Sequence, residues 1–158
     1  MIRNPLLEMS RMEAAKETDN KLRWDAEVEG VSFSLYIPKW RIPDPWPSRI
    51  WVDIFPRRAA GDDLPNLTRA DTERDSTLRH EPIIATVEYF KDHGNAIRYQ
   101  STGDPKAWEI GEPYIPLALT GGGSRRLRLI VLWDLASRGM FPNRVEPATR
   151  GVPSDRTR

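Results

Sequence analysis

Two runs of alternating apolar residues, one on each side of Glu29-Gly30, constrain the fold of this chain most strongly. Each run places an apolar residue at every second position, but the phase slips by one residue between them. A two-residue hairpin turn at Glu29-Gly30 removes the slip and brings all the apolar residues to one face. The cross-strand pairs predicted by this turn are Val28–Val31, Ala26–Phe33, Trp24–Leu35 and Leu22–Ile37. The sequence therefore predicts both an antiparallel hairpin and its register.

Further segments carry strand signals. Residues 49–55 are apolar on both faces, which is typical of a central or covered strand. Residues 82–90 predict a second strand, and the turn residues 92–95 predict an antiparallel return through 96–101. The segments "KAWEI" and "YIPLAL" predict short strands at a sheet edge, because proline interrupts them.

The N-terminus carries a helix signal. Asn4 can accept hydrogen bonds from the free amides of a first helical turn, and Pro5 has no amide to leave unbonded there. Helix-forming residues follow, so we expect a helix over residues 5–18.

The segment after Gly123 is ambiguous between a helix and a buried strand. Ser124 as N-cap and Gly139 just past a last turn favour a helix over residues 125–138. We therefore expect an α+β fold. It would contain an antiparallel sheet of five to seven strands, built from two hairpins and flanked by an N-terminal and a C-terminal helix.

The chain length of 158 residues suits one domain. We expect residues 1–142 to form it, with 1–20 as a helical arm and 57–81 as a long mobile loop. Residues 143–158 are almost without apolar side chains, so we expect a disordered basic tail. Eight basic and three acidic side chains fall within residues 124–158, so positive charge gathers near the C-terminus.

Composition argues against several classes of function. The chain has no cysteine and two histidines, which excludes thiolate chemistry and disfavours a zinc site, and we expect no cofactor. Its longest apolar run, residues 129–133, is far too short to cross a bilayer. The N-terminus lacks the apolar core of a signal peptide, so we expect a cytoplasmic protein without membrane contact.

Residues 36–51, "YIPKWRIPDPWPSRIW", hold four prolines and three tryptophans. Proline keeps this stretch extended, and rigid indole rings could stack on bases or dock a partner protein. The partner surface that this interpretation predicts consists of Trp40, Arg41, Trp46 and Trp51. The simpler interpretation is that the rings cap the hairpin core, as tryptophans in small domains generally do.

The stretch "TGGGSRR" resembles an anion-binding loop in its chemistry. Glycines before a helix would expose free amides, and arginines in a first turn oppose the helix dipole unless an anion offsets them. The predicted anion or nucleic-acid site consists of Gly121, Gly122, Gly123, Ser124, Arg125, Arg126 and Arg128. If the following segment is a strand, these glycines form only a flexible turn.

Signals for catalysis are sparse. Asp92 with the Asp104-Pro-Lys106 triplet imitates the carboxylates and lysine of metal-dependent nucleases, but ordinary turn chemistry explains the same residues. Asp53 and Glu88 are carboxylates within apolar strands and could serve as acid, base or metal ligand beside the arginines.

These observations favour a non-enzymatic binding module. Its partner would be a protein or nucleic-acid phosphates, held by the Pro/Trp stretch and the basic C-terminal region. One alternative is an enzyme, nuclease-like and metal-dependent, that acts on a phosphorylated or nucleic-acid substrate. Another is a self-assembling structural protein, a homo-oligomer that pairs subunits through edge strands and tryptophans.

Overall fold

The computed structural model describes residues 6–11, 18–57 and 66–135. In these ranges the chain forms eight β-strands and one short α-helix, joined by turns and single turns of 3-10 helix. The strands are β1 (Leu7–Arg11), β2 (Lys21–Val28), β3 (Val31–Pro38), β4 (Arg49–Pro56), β5 (Ile83–His93), β6 (Ala96–Gln100), β7 (Tyr114–Pro116) and β8 (Arg126–Leu132), and the helix is α1 (Arg69–Arg74).

All eight strands belong to one antiparallel sheet with the order β3-β2-β1-β4-β8-β5-β6-β7. The two end strands of this order come together again. The Gly111 amide, just before β7, donates a 2.8 Å hydrogen bond to the Tyr36 carbonyl of β3. The sheet is therefore curled into a nearly closed barrel, which leaves little free edge.

The barrel interior is filled by one face of every long strand. In β8, Leu127, Leu129 and Val131 join this inner core, while Ile130 and Leu132 lie in a second apolar cluster on the outer face. This division follows the two-residue period of a strand. Both faces of β8 are buried, which explains why its sequence does not alternate.

The hairpin predicted around Glu29-Gly30 is confirmed. Strands β2 and β3 pair in the predicted register along their whole length. Glu29 and Gly30 have φ of +51° and +80°, as in the two-residue turns that match the twist of paired strands. The second predicted hairpin is also present, as β5 and β6.

The α+β prediction is wrong, because the described part of each predicted flanking helix forms a strand. The predicted N-terminal helix, part of the helical arm, contains β1, which pairs with β2 on one side and β4 on the other. Leu7 and Met9 alternate with Glu8 and Ser10, and this two-residue period prevails over the helix-start signal because Met9 can then be fully buried. Residues 12–17 lie outside the described residues.

The predicted C-terminal helix is β8, which lies between β4 and β5 near the middle of the sheet. Ile130 and Val131 are β-branched and suit a strand, and the hydrogen bonds of two neighbouring strands outweigh the local capping signals at Ser124 and Gly139. The molecule is therefore mostly β.

Other predicted boundaries also changed. "KAWEI" contains a 3-10 turn at Pro105–Ala107 in place of a strand, and β7 covers only the first half of "YIPLAL". Within the expected long loop, α1 begins at a capping box in which Thr68 and Asp71 satisfy each other's amides. Residues 58–65 and the predicted tail at 143–158 lie outside the described residues.

Candidate nucleic-acid interface

A groove of about 930 Å³ runs beside the seam of the barrel, between the end of β3 and the segment that precedes β7. Trp40 and Trp108 both line it, and we call it the Trp40–Trp108 groove. Its charged lining residues are Asp19, Lys21, Lys39, Arg69, Lys106 and Glu112. Four cations against two carboxylates give the groove a positive balance.

Two similar local structures place the tryptophans. Pro38 ends β3 and starts a 3-10 turn, Lys39–Arg41, in which Trp40 stays partly exposed. Trp108 follows the 3-10 turn Pro105–Ala107, which Asp104 caps, and its indole N–H donates a 3.0 Å hydrogen bond to the Thr102 carbonyl. Each tryptophan is thus held by a short rigid turn at the rim of the barrel.

Arg41 lies in the same turn as Trp40 but is fully buried. Its Nε donates to the Glu109 carboxylate, and its two Nη atoms donate to the carbonyls of Arg79, Glu81 and Pro82 at 2.9–3.0 Å. Burial raises the pKa of Glu109, although Arg41 acts in the opposite direction. Arg41 therefore anchors the wall of the groove and has no exposed surface to offer a partner.

Several polar groups of the groove have no protein partner among the described residues. The indole N–H of Trp40 makes no hydrogen bond to them, and no carboxylate among them pairs with Lys21 or Lys106. Glu112, in contrast, is paired with Arg98. The groove thus presents to the solvent two aromatic faces, the Trp40 indole N–H and the ammonium groups of Lys21 and Lys106.

The other two predicted tryptophans do not line this groove. Trp46 is 38% exposed, and its ring centre lies 5.4 Å from the ammonium of Lys39, a residue of the groove, and 5.9 Å from the Arg11 guanidinium. Trp51 projects from the outer face of β4 and packs in the second apolar cluster with Phe55. Within the Pro/Trp stretch, Trp40 therefore lines the groove, Trp46 presents an exposed ring, and Trp51 packs in the second apolar cluster.

The predicted glycine-arginine site forms a different pocket, of about 570 Å³, between the C-terminal end of β4, the start of β8 and the middle of β5. We call it the arginine pocket. It is lined by Pro56, Arg57, Glu88, Tyr89, Gly121, Ser124, Arg125 and Arg126. Arg128 is not among these residues, because it is fully buried further along β8.

The amides of the glycine turn do not form the expected cradle. Gly121, Gly122 and Gly123 all have positive φ, and the amides of Gly123 and Ser124 donate to Thr120 at 2.9 and 3.0 Å. No helix follows, so the helix-dipole argument for an anion fails.

The enzyme alternative requires Arg125 and Arg126 to share a pocket with at least one carboxylate, and of Asp53, Glu88 and Asp104 it is Glu88 that lines it. Glu88 lies in the arginine pocket but is paired with Arg126 at 3.0 Å. Asp53 is on β4, opposite Ile130, and Asp104 caps a 3-10 turn in another part of the chain. In the part of the chain that the structure describes, no three His, Asp or Glu side chains gather as a metal site.

Comparisons with known proteins found no relative of this chain. No protein-family model, no curated protein and no solved structure matches the chain. None of the helices in the described ranges is long and apolar enough to span a membrane.

Sequence reasoning missed Trp108 and Lys21, and it considered Lys106 only within a nuclease-like triplet and not as part of this groove. One signal could have found two of them: "PKW" at 38–40 and "PKAW" at 105–108 both place a lysine and a tryptophan just after a proline. Both segments form 3-10 turns that line the same groove. Lys21 carries no such signal, since only the pairing of Lys21 with Pro38 brings it there.

Proposed function

We propose that this chain is a non-enzymatic binding module for single-stranded nucleic acid, and that the Trp40–Trp108 groove is its contact surface. The observation that carries the proposal is the presence of two partly exposed tryptophans and four basic side chains in one groove. Single-strand binding proteins combine these two features, because aromatic faces stack on bases while cations follow the phosphates.

The chemistry of the groove favours an unpaired strand over a duplex. Bases in a duplex are stacked on one another, so they cannot offer a face to Trp40 or Trp108 without being unstacked first. Lys21 and Lys106 can each neutralise one phosphate without breaking an ion pair with a described residue. The indole N–H of Trp40 adds one donor for a base edge or a phosphate oxygen.

The proposal is tested by titrating labelled single-stranded DNA and RNA oligonucleotides, and a matched duplex, with the full chain and following fluorescence anisotropy. We expect single strands to bind more tightly than the duplex. Trp40→Ala and Trp108→Ala should each weaken binding by about 5- to 150-fold, the range that stacking of one base on an aromatic side chain spans. Trp51→Phe, outside the groove, is the matched control and should leave affinity unchanged.

Salt dependence supplies a second readout. Affinity should fall as salt rises, and Lys21→Gln or Lys106→Gln should each reduce the slope of log affinity against log salt by roughly 0.7, the value for one phosphate contact on a single strand. Lys91→Gln, an exposed lysine on β5 outside the groove, should not change the slope. Single-strand affinity that both tryptophan variants leave intact, or a duplex that binds better, would overturn the proposal.

A further inference from the structure

We propose that the arginine pocket is a separate binding site for a phosphate monoester, in which Arg125 and Tyr89 hold the phosphate. This inference does not depend on nucleic-acid binding in the Trp40–Trp108 groove, because the two sites share no lining residue. The ligand chemistry is a phosphate dianion, which a free phosphorylated small molecule or the terminal phosphate of a strand could supply.

The pocket lies at one end of the barrel interior. Tyr89 continues the inward-facing series of β5, and Arg125 lies two residues before the inward-facing Leu127 of β8. Glu88 and Arg126 are cross-strand partners on the outer face and form its rim. Barrel ends are common positions for small-molecule sites, and 570 Å³ is within the usual range of such pockets.

Arg125 has the features of a ligand-binding arginine. Its guanidinium lies 4.3 Å from the centre of the Tyr89 ring, a cation–π contact that holds the group beside the ring. Among the described residues no carboxylate pairs with Arg125, and the Tyr89 hydroxyl has no hydrogen-bond partner. Both side chains therefore keep their donors for a ligand.

The charge of the pocket suits an anion. Arg126 pairs with Glu88, the carboxylate of the lining, and no carboxylate among the described residues pairs with Arg125. A phosphate monoester carries close to two negative charges at neutral pH, and the planar arginine fork matches two of its oxygens.

The backbone around Arg125 is held in place before any ligand binds. The Arg125 carbonyl accepts from the Tyr89 amide at 2.7 Å, and the adjacent Arg126 carbonyl accepts from the Arg57 amide at 2.9 Å. The buried Tyr99 hydroxyl donates a 2.6 Å hydrogen bond to the Ser124 carbonyl. Such a fixed site loses little conformational freedom on binding, which favours affinity for a small ligand.

The test measures binding of inorganic phosphate, a sugar monophosphate and a nucleoside monophosphate to the full chain by isothermal titration calorimetry. Arg125→Ala should weaken binding of each by at least about tenfold, because hydrogen bonds to charged groups are lost. Tyr89→Phe, which keeps the ring, should weaken it less. Arg23→Ala is the matched control, since Arg23 also lies over a tyrosine ring, that of Tyr36, but outside the pocket.

A second arm separates the two sources of phosphate. If the ligand is a strand end, an oligonucleotide with a terminal phosphate should bind more tightly than its unphosphorylated twin, and Arg125→Ala should abolish only that difference. If the ligand is a free small molecule, the monophosphates should bind and terminal phosphorylation should change nothing. Phosphate binding that Arg125→Ala leaves intact, or no binding by any of these ligands, would overturn the inference. Trp40→Ala should leave binding of the sugar monophosphate unchanged, because that ligand has no base to stack, so failure of the groove proposal would be visible separately.

Discussion

At the scale of single residues, Arg41 connects three segments that are distant in sequence. Its guanidinium binds the Glu109 carboxylate before β7 and three carbonyls around residues 79–82. A buried charge of this kind is tolerated only while its partners remain, because desolvation of the ion is otherwise uncompensated. The residue that the sequence suggested as a docking arginine therefore has a structural role.

We expect Arg41→Ala to lower the free energy of unfolding by about 3–5 kcal/mol, because it leaves the Glu109 carboxylate buried without its partner. Urea denaturation followed by circular dichroism measures this loss. Arg41→Ala combined with Glu109→Leu should cost less than the sum of the two single changes, since no lone charge is then left buried. A loss below about 1 kcal/mol, the scale of an exposed ion pair, would contradict the structural role.

Because Tyr99 is buried, we expect the stability of the folded protein to depend on pH in the alkaline range. Burial raises the pKa of Tyr99 from about 10 to about 12. The unfolded chain therefore loses this phenolic proton at lower pH than the folded protein does, and stability falls as pH rises from about 10 to 12. The loss should not exceed about 1.4 kcal/mol per pH unit. Unfolding experiments at stepped pH should show that Tyr99→Phe flattens this part of the curve, while the exposed Tyr114→Phe does not.

At the scale of elements, the turn before β8 depends on one close approach. A Cβ atom on Gly121 would lie 2.6 Å from the Pro56 side chain, whereas one on Gly122 would meet nothing within 4 Å. Both residues have positive φ, which costs an alanine roughly 1–2 kcal/mol. Gly121→Ala should therefore be more destabilising than Gly122→Ala by at least about 1 kcal/mol in thermal or urea unfolding, because the clash adds to the same backbone strain. Equal losses would show that the turn can move away from β4.

The elements differ in how far the sequence alone determines them. The β2–β3 hairpin was predictable in full, because its turn and its alternating residues are adjacent in sequence. A shift of the register by one residue would move the apolar side chains of one strand to the other face, so the sequence pattern selects one register. Strands β1 and β8 could not be predicted in this way. The hydrogen bonds that stabilise them come from strand partners that lie 13 to 81 residues away in the sequence. Local capping signals suggested helices at both places, and tertiary pairing prevailed over them.

The candidate sites show the same contrast between residues that local sequence identifies and residues that only the fold brings together. Trp40 and the arginines at 125 and 126 could be selected from local composition, and each lines a pocket. Their companions Trp108, Lys21 and Tyr89 reach those pockets only through strand pairing and the closure of the barrel. Local sequence therefore identified individual residues, whereas the grouping of residues into two distinct pockets required the fold.

At the scale of the whole molecule, the position of β8 decides how the two parts of the sheet are joined. Strands β1 to β4 form one part and β5 to β7 the other, and β8 lies between them, paired with β4 and β5. The strand that completes the sheet is thus the last described strand in the chain. It brings five buried apolar side chains to the two clusters.

Removal of β8 should therefore prevent folding as a whole. Burial of five large apolar side chains contributes about 8–15 kcal/mol, which matches or exceeds the total stability of an ordinary domain. A chain that ends at residue 125 should lose cooperative thermal unfolding and amide protection in β4 and β5 together. A chain that ends at residue 142, without the predicted tail, is the control and should keep both. Should the shorter chain protect β1 to β4 as a stable unit, the two parts of the sheet would fold independently and β8 would only bridge them.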